Sequence, residues 1–136
     1  MTTDPPTPRT SKGMLWAGRI ISAIPVLMMG VLPVVVFFAA PKMVAEGMTK
    51  YGYPAGVGRP LLVVEIACAV LYLIPQTAVL GAILLTGYLG GAVATHVRAA
   101  EPFWFPILFG VLVWLGLYLR DARVRALLPL RRGLRL

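Results

Sequence analysis

Four long apolar runs follow one another along the chain, separated by short polar segments. They cover residues 16–40, 59–74, 77–97 and 103–119. A membrane-spanning helix needs about 20 predominantly apolar residues, so the runs predict four spans, of which the second is short. Pro25 and Pro33 interrupt the first run. They predict a kink in its helix, which spans tolerate when neighbouring helices satisfy the freed carbonyl groups.

The segments between the runs predict how the spans connect. The PQT segment at 75–77 predicts a tight turn, so the second and third spans form an antiparallel hairpin. The longer connection, 41–58, predicts a short helix that starts at Pro41 and is stopped by Gly52 and Pro54. Its polar and apolar residues fall on different faces, which is typical of a helix lying in the membrane interface. The predicted fold is therefore all-α: an integral membrane four-helix bundle with a short interfacial helix between the first and second spans.

The overall composition supports a lipid-facing fold. The 136 residues are 59% hydrophobic and 13% charged, with a mean hydropathy of +0.83, whereas an ordinary soluble domain is about 25% charged. A chain of this length cannot bury so much apolar surface in water, so the surplus must face lipid. Three segments are expected: a Pro/Thr-rich disordered lead-in at 1–14, a membrane domain at 15–120 and a basic tail at 121–136.

The positive charge is placed unevenly and predicts the orientation in the membrane. The formal net charge is +8, and six of the 13 Lys and Arg residues lie in the last 17 positions. With four spans, nine basic residues fall on the side of the chain ends and four on the other side. Basic residues accumulate on the cytoplasmic side, so we expect a multi-pass protein of the cytoplasmic membrane with both termini in the cytoplasm. The tail has no aromatic residues between its arginines, which favours contact with anionic lipid over nucleic acid.

Glu65, in the second span, is the residue that is most costly to place in a membrane. A carboxylate at mid-membrane costs about 2.5 kcal/mol or more, and Cys68 and Tyr72 share its helical face. In one interpretation Glu65 handles protons or contacts a ligand inside the bundle. In another it is a protonated or hydrogen-bonded residue that fixes helix packing, and in a third the span starts late and Glu65 lies near the headgroups. Cys68, the single cysteine, is expected to be an inert buried thiol and allows no disulfide within the chain.

His96, the only histidine, and Arg98 come at the outer end of the third span. They are candidates for ligand or proton contacts at the outer mouth of the bundle, near Lys42 and Glu101. The alternative is an interfacial histidine that ends the span, and a lone histidine without acidic partners indicates no metal site. Counted from the turn between the spans, His96 lies about 15 Å higher than Glu65, so no direct contact between the two is expected.

A strip of small residues follows the third span and contains a GxxxG motif. It consists of Gly87, Gly90, Gly91 and Ala94. Small residues let helix backbones approach closely in membranes, so the strip predicts helix packing, within the chain or in a homo-oligomer. The strip lies inside a span with no preceding strand, which excludes a phosphate-binding loop. Since the sequence contains no recognisable nucleophile–base pair and no cluster of metal ligands, no catalytic residue and no metal ligand is predicted.

Several motifs resemble the DoxX-like family of small bacterial membrane proteins. The segments that carry the resemblance are EGMTKYGYP at 46–54, LYLIPQTAVLGAILLTGYLGGAVATHVR at 71–98 and WLGLYLRDARVRALLPLR at 114–131. His96, Arg98 and the Gly90–Gly91 pair match the family's GYLGGA-ATH-R element. The resemblance implies a four-helix membrane bundle. It also implies a link to membrane redox complexes, because the family's name comes from a subunit associated with thiosulfate:quinone oxidoreductase, although most members have no assigned activity.

Three functions fit these observations. The first is a DoxX-like membrane protein of unassigned molecular function that binds a small hydrophobic ligand or a partner, with no enzyme activity of its own. The second is a quinone-linked accessory subunit of a membrane oxidoreductase complex, in which Glu65 or His96 contacts a quinone oxygen or moves its proton. Quinone is the cofactor that this second function implies. The third is a small transporter or channel with Glu65 on the path, which would require an oligomer.

Overall fold

The computed structural model describes residues 9–128, and 82% of this part of the chain is helical. The elements are α1 (Lys12–Val26), a π-helical turn (Leu27–Val31), α2 (Leu32–Ala39), α3 (Pro41–Lys50), α4 (Gly58–Leu73), α5 (Ala78–Arg98), α6 (Trp104–Arg120) and α7 (Ala122–Leu127). Residues 9–128 contain no strand, which confirms the all-α fold class. The first part of the predicted lead-in and the second half of the predicted basic tail lie outside the described residues.

Two of the helices are long and apolar enough to cross a membrane. They are Lys12–Ala39, with 28 residues, and Ala78–Arg98, with 21 residues, while α6 is apolar but shorter. Large apolar side chains are exposed along the helices, among them Trp16 at 61%, Phe38 at 76% and Val111 at 55%. Apolar surface of this extent marks a protein or membrane contact rather than a water-facing surface.

A π-helical turn interrupts the first long helix between its two prolines. Pro33 has no N–H that could bond the carbonyl group of Met29, so the regular hydrogen-bond pattern cannot continue there. The chain widens instead, and the N–H of Leu32 bonds the carbonyl oxygen of Leu27, five residues earlier. The π turn contacts α4, so the irregularity predicted from the prolines lies at a helix–helix contact.

The long helices pack in a ring around Tyr72. α1 packs along α6, α6 along α5 and α5 along α4, and the π turn closes the ring on α4. Tyr72 is completely buried. Its hydroxyl donates to the carbonyl oxygen of Val113 at 2.7 Å and lies 2.9 Å from the Ser22 hydroxyl. Because the single phenol proton goes to Val113, Ser22 is the donor to Tyr72, and α1, α4 and α6 are tied together at one point.

Glycines allow the closest of these helix contacts. A Cβ atom built on Gly81 would lie 2.6 Å from the Cα atom of Tyr72, and one built on Gly18 would lie 2.7 Å from the backbone nitrogen of Arg120. A Cβ atom on Gly116 would meet Ser22 on α1. The α4–α5 and α1–α6 contacts therefore depend on the missing side chains.

The connections position α3 beside the end of α5. α3 begins at Pro41 and ends before Gly52, whose φ of +74° reverses the chain direction. The N–H of Tyr53 then bonds the carbonyl oxygen of Met48 at 2.9 Å. A helix is thus present in the segment where the sequence predicted one, and its location in a membrane interface stays a prediction.

Candidate functional site

A small cavity lies between α3 with its following loop and the last turns of α5. Its volume is about 290 Å³. The polar side chains in its wall are Tyr51, Tyr53, Tyr88, Thr95 and His96. Gly87 and Gly91 form part of the same wall, and nothing lies within 4 Å of a Cβ atom built on either. We call this space the tyrosine cavity.

Every tyrosine hydroxyl in the wall already donates its proton to the protein. Tyr88 donates to Glu65 Oε2 at 3.1 Å, and Tyr51 donates to Glu101 Oε2 at 2.8 Å. Thr95 donates to the carbonyl oxygen of Gly91 at 2.9 Å, so in the 2.6 Å pair of Tyr53 and Thr95 the proton comes from Tyr53. The lone pairs of these phenol oxygens remain, and the wall therefore offers hydrogen-bond acceptors.

Glu65 does not line the cavity itself but accepts a hydrogen bond from Tyr88 in its wall. Its side chain is half-buried, and Tyr88 is its hydrogen-bond partner within residues 9–128. Cys68 and Tyr72, which share its helical face, have different surroundings: both are buried, and Tyr72 belongs to the junction of α1, α4 and α6. The structure therefore links Glu65 to the cavity through one tyrosine.

Glu101 collects the polar contacts at the mouth of the cavity. Lys50 and Tyr51 both donate to its carboxylate, and His96 Nδ1 lies 3.5 Å from Oε2. The hydrogen bonds from Lys50 and then Tyr51 hold the pKa of Glu101 below its ordinary value. The same contact raises the pKa of Lys50 above its ordinary value. A carboxylate shared in this way fastens the end of α3 to the loop after α5.

His96 and Arg98 lie at this same mouth. The His96 ring meets the Tyr51 ring edge to face, with 5.7 Å between centroids, and its Nδ1 atom is buried without a hydrogen-bond partner in the described chain. Arg98 donates to the carbonyl oxygen of Tyr51 at 2.7 Å. The predicted grouping of His96, Arg98 and Glu101 is therefore present, with Lys50 rather than Lys42 as the lysine of the group.

No hydrogen bond joins Glu65 to His96 within residues 9–128. Tyr88, the partner of Glu65, precedes His96 by eight residues on α5, which corresponds to about 12 Å along the helix. Sequence reasoning missed Tyr53, Tyr88 and Thr95. The spacing of Tyr88, Gly91 and Thr95 places them on one face of α5, and this periodicity is the signal that could have found two of the three.

The small-residue strip borders open space rather than another helix. Nothing lies within 4 Å of a Cβ atom on Gly87, Gly90 or Gly91, and Ala94 is exposed. Gly87 and Gly91 line the tyrosine cavity, whereas Gly90 lines a separate apolar groove between α5 and α6. Within the described chain these glycines therefore make no close helix contact. That they pack against a second copy of the chain stays a prediction.

Neither space has the residues for a metal centre. Among residues 9–128, no three His, Cys, Asp or Glu side chains come together in a group that could hold a metal ion. The tyrosine cavity can therefore orient a ligand by hydrogen bonds and aromatic contacts.

Comparison with known proteins places these observations in one family. The model of the DoxX-like family matches residues 20–116. No curated protein and no solved structure matches the chain. The matched range covers well over half of the chain and contains every residue of the tyrosine cavity.

Proposed function

Since the chain belongs to the DoxX-like family, we propose that it is a four-helix protein of the cytoplasmic membrane that binds a small hydrophobic ligand by a polar head. The tyrosine cavity carries this proposal. It combines a partly open volume of about 290 Å³ with several polar side chains in its wall. Ligand sites usually measure about 300–1,000 Å³. The cavity therefore suits the head of a ligand whose apolar part extends into lipid.

The hydrogen-bond pattern specifies the chemistry of that head. Because the protons of Tyr53 and Tyr88 are directed at Thr95 and Glu65, their oxygens can take part in a further hydrogen bond only as acceptors. A head that donates, such as a hydroxyl or an amine, gains hydrogen bonds there. A head that only accepts would gain no hydrogen bond from these oxygens, because each already directs its proton at the protein.

A quinone-linked accessory subunit is the second candidate. The hydrogen-bond pattern of the cavity favours quinol, the reduced form of the cofactor, because a quinol carries two hydroxyl donors whereas the oxygens of a quinone only accept. Glu65, linked to the cavity through Tyr88, is the carboxyl group that this candidate assigns to receive a proton from such a head. No contact among the described residues favours a transport path.

The arrangement of the chain ends supports the proposed topology. Arg125 of α7 donates to the hydroxyl of Thr10 at 2.6 Å, so the two ends of the described chain meet on one side of the bundle. The basic residues of both ends accumulate on that side, which is the cytoplasmic side under the charge rule. The tyrosine cavity then opens at the opposite face of the membrane.

Mass spectrometry of co-purifying small molecules tests the binding proposal. Wild type is compared with Gly87→Leu, which fills the tyrosine cavity, and with Gly90→Leu, which makes the same change three residues further along α5 outside the cavity. We expect a donor-headed compound in wild type and in Gly90→Leu, and its loss in Gly87→Leu. Tyr88→Phe, which removes one acceptor, should reduce its amount. Identical small molecules in all four preparations would contradict the proposal.

A further inference from the structure

The second open space is a long apolar groove between α5 and α6, distinct from the tyrosine cavity. Its volume is about 820 Å³. One glycine on each side keeps it open: nothing lies within 4 Å of a Cβ atom on Gly90, and the nearest atom to one on Gly110 is Leu89 Cδ1 at 3.8 Å. The groove ends at Tyr118 and at Leu128, beyond α7.

The interior of the groove offers hydrocarbon and no unpaired polar group. Trp114 Nε1 donates to Thr86 Oγ1 at 2.8 Å, and Thr86 in turn donates to the carbonyl oxygen of Ala82 at 2.7 Å. The remaining polar side chain of the wall is Tyr118, at the end towards the chain termini. A guest in the interior therefore gains only from burial of apolar surface, which suits an alkyl chain.

The length of the groove matches one leaflet of a bilayer. From Pro106 to Tyr118 the α6 wall spans about 18 Å at 1.5 Å per residue. The hydrocarbon core of a bilayer is about 30 Å thick, so the groove corresponds to slightly more than half of it. One acyl chain that enters from the side of the chain termini would fill the groove along its length.

A cationic group stands at the end where the head of such a lipid would lie. Arg125 Nη1 donates to the carbonyl oxygens of Tyr118 and Leu119 at 2.8 and 2.9 Å, and Nη2 donates to Thr10. These bonds use three of the five guanidinium N–H groups and leave two for a ligand. Arg123, 81% exposed, lies nearby, but its Nε atom is 3.7 Å from Asp121 Oδ1, so its charge is partly offset. The same carboxylate caps α7 by accepting from the backbone N–H of Arg123.

We infer that the apolar groove binds an acyl chain of an anionic phospholipid, with its phosphate held at Arg125. The groove has hydrocarbon walls, the length of about one leaflet and a cation at one end. Together these features match an acyl chain that carries an anionic head. The inference needs α5 and α6 to lie in a membrane and is independent of the ligand in the tyrosine cavity.

Native mass spectrometry of the full chain in detergent micelles tests the chain-binding part. The probes are phosphatidylglycerol and phosphatidylcholine with the same acyl chains, added in equal amounts. We expect wild type to retain phosphatidylglycerol in preference. Gly90→Leu and Gly110→Leu, which fill the groove from either side, should lose it, whereas the matched control Gly87→Leu should bind as wild type does. The inference would be overturned if both filled variants retained the lipid or if the control lost it equally. It would also be overturned if a dimer seated on this face took the place of the lipid.

Two arginine variants test the head. Arg125→Gln should weaken phosphatidylglycerol binding about fivefold, since one basic residue at an anionic surface contributes about 1 kcal/mol, and should leave phosphatidylcholine unchanged. Because Arg125 also bonds the last carbonyl groups of α6, Arg123→Gln serves as a second variant with a smaller decrease. Equal binding of the two lipids by wild type, or no change in either variant, would overturn the proposed headgroup site. Loss of the donor-headed ligand in Gly87→Leu is a separate result, so the two proposals can fail independently.

Discussion

Replacing single glycines of α5 by alanine should shift stability in opposite directions at two positions of the same helix. Alanine is favoured over glycine within a helix by about 0.8–1 kcal/mol. At Gly90 nothing lies within 4 Å of the added methyl group. Gly90→Ala should therefore raise the free energy of unfolding by up to about 1 kcal/mol.

At Gly81 the same methyl group would stand 2.6 Å from the Cα atom of Tyr72 and 2.7 Å from the carbonyl carbon of Leu71. Carbon atoms pack at about 3.5–4.0 Å, so α4 and α5 would have to separate by about 1 Å. Overpacking of this kind costs about 1–3 kcal/mol, and the upper end applies because the atoms met are backbone. After the gain in helix propensity, Gly81→Ala should lose about 2 kcal/mol.

The difference between the two variants, about 3 kcal/mol, is measurable by reversible unfolding in mixed micelles followed by circular dichroism. Comparing two variants of one helix removes the contribution of the micelle and of alanine itself. A Gly81→Ala protein as stable as wild type would refute the close α4–α5 contact. A destabilised Gly90→Ala protein would show that this glycine is packed against a partner, as the small-residue strip predicted.

Three further perturbations test other parts of the molecule. Lys50 and Tyr51 keep the pKa of Glu101 below its ordinary value of 4.5, so the contact stabilises the fold above that pH and is lost as the pH falls through the lowered pKa. Proteolysis within α3 should therefore increase on acidification, and Glu101→Gln should be cleaved faster already at neutral pH. Cleavage that depends neither on pH nor on this substitution would contradict the stabilising role of the contact. Tyr72→Phe leaves the carbonyl of Val113 and the hydroxyl of Ser22 without their partner. It should lower the free energy of unfolding by about 1–3 kcal/mol, measured in the same unfolding assay. An unchanged value would show that the Tyr72 hydroxyl does not stabilise the junction of α1, α4 and α6. A reporter fused after Leu136 should be active only in the cytoplasm, and periplasmic activity would overturn the charge argument for topology.

The hydrophobic pattern alone was sufficient to predict where α4, α5 and α6 lie, whereas α1 begins at Lys12, within the predicted lead-in, and α7 lies within the predicted tail. α4, α5 and α6 begin and end within one or two residues of the apolar runs at 59–74, 77–97 and 103–119. Local signals explain this success: Pro41 starts α3, Gly52 ends it, and Thr77 closes the turn before α5 by donating to the carbonyl oxygen of Leu71. Each of these signals acts over a few residues and is readable without the tertiary fold.

The site depended on contacts that no local pattern contains. Tyr53 and Thr95 are 42 residues apart, and Lys50 and Glu101 are 51 apart. Lys42 and Lys50 lie on one face of α3, and the sequence pattern does not indicate which of them reaches the loop after α5. The fold decides, because Gly52 turns the chain so that Tyr51 and Lys50 meet Glu101.

The glycines of α5 show why a packing motif could not be interpreted from sequence. A glycine permits close approach, but whether a helix comes close depends on which face its neighbour occupies. Gly81 meets α4, whereas Gly90 and Gly91, successive residues whose directions differ by about 100°, open onto two different spaces. One space is lined by phenol oxygens and the other by hydrocarbon. Gly87, Gly90 and Gly91 therefore leave space on two sides of α5, which separates the tyrosine cavity from the apolar groove. If both proposals hold, exchanging leucine between positions 87 and 90 will exchange which ligand is lost.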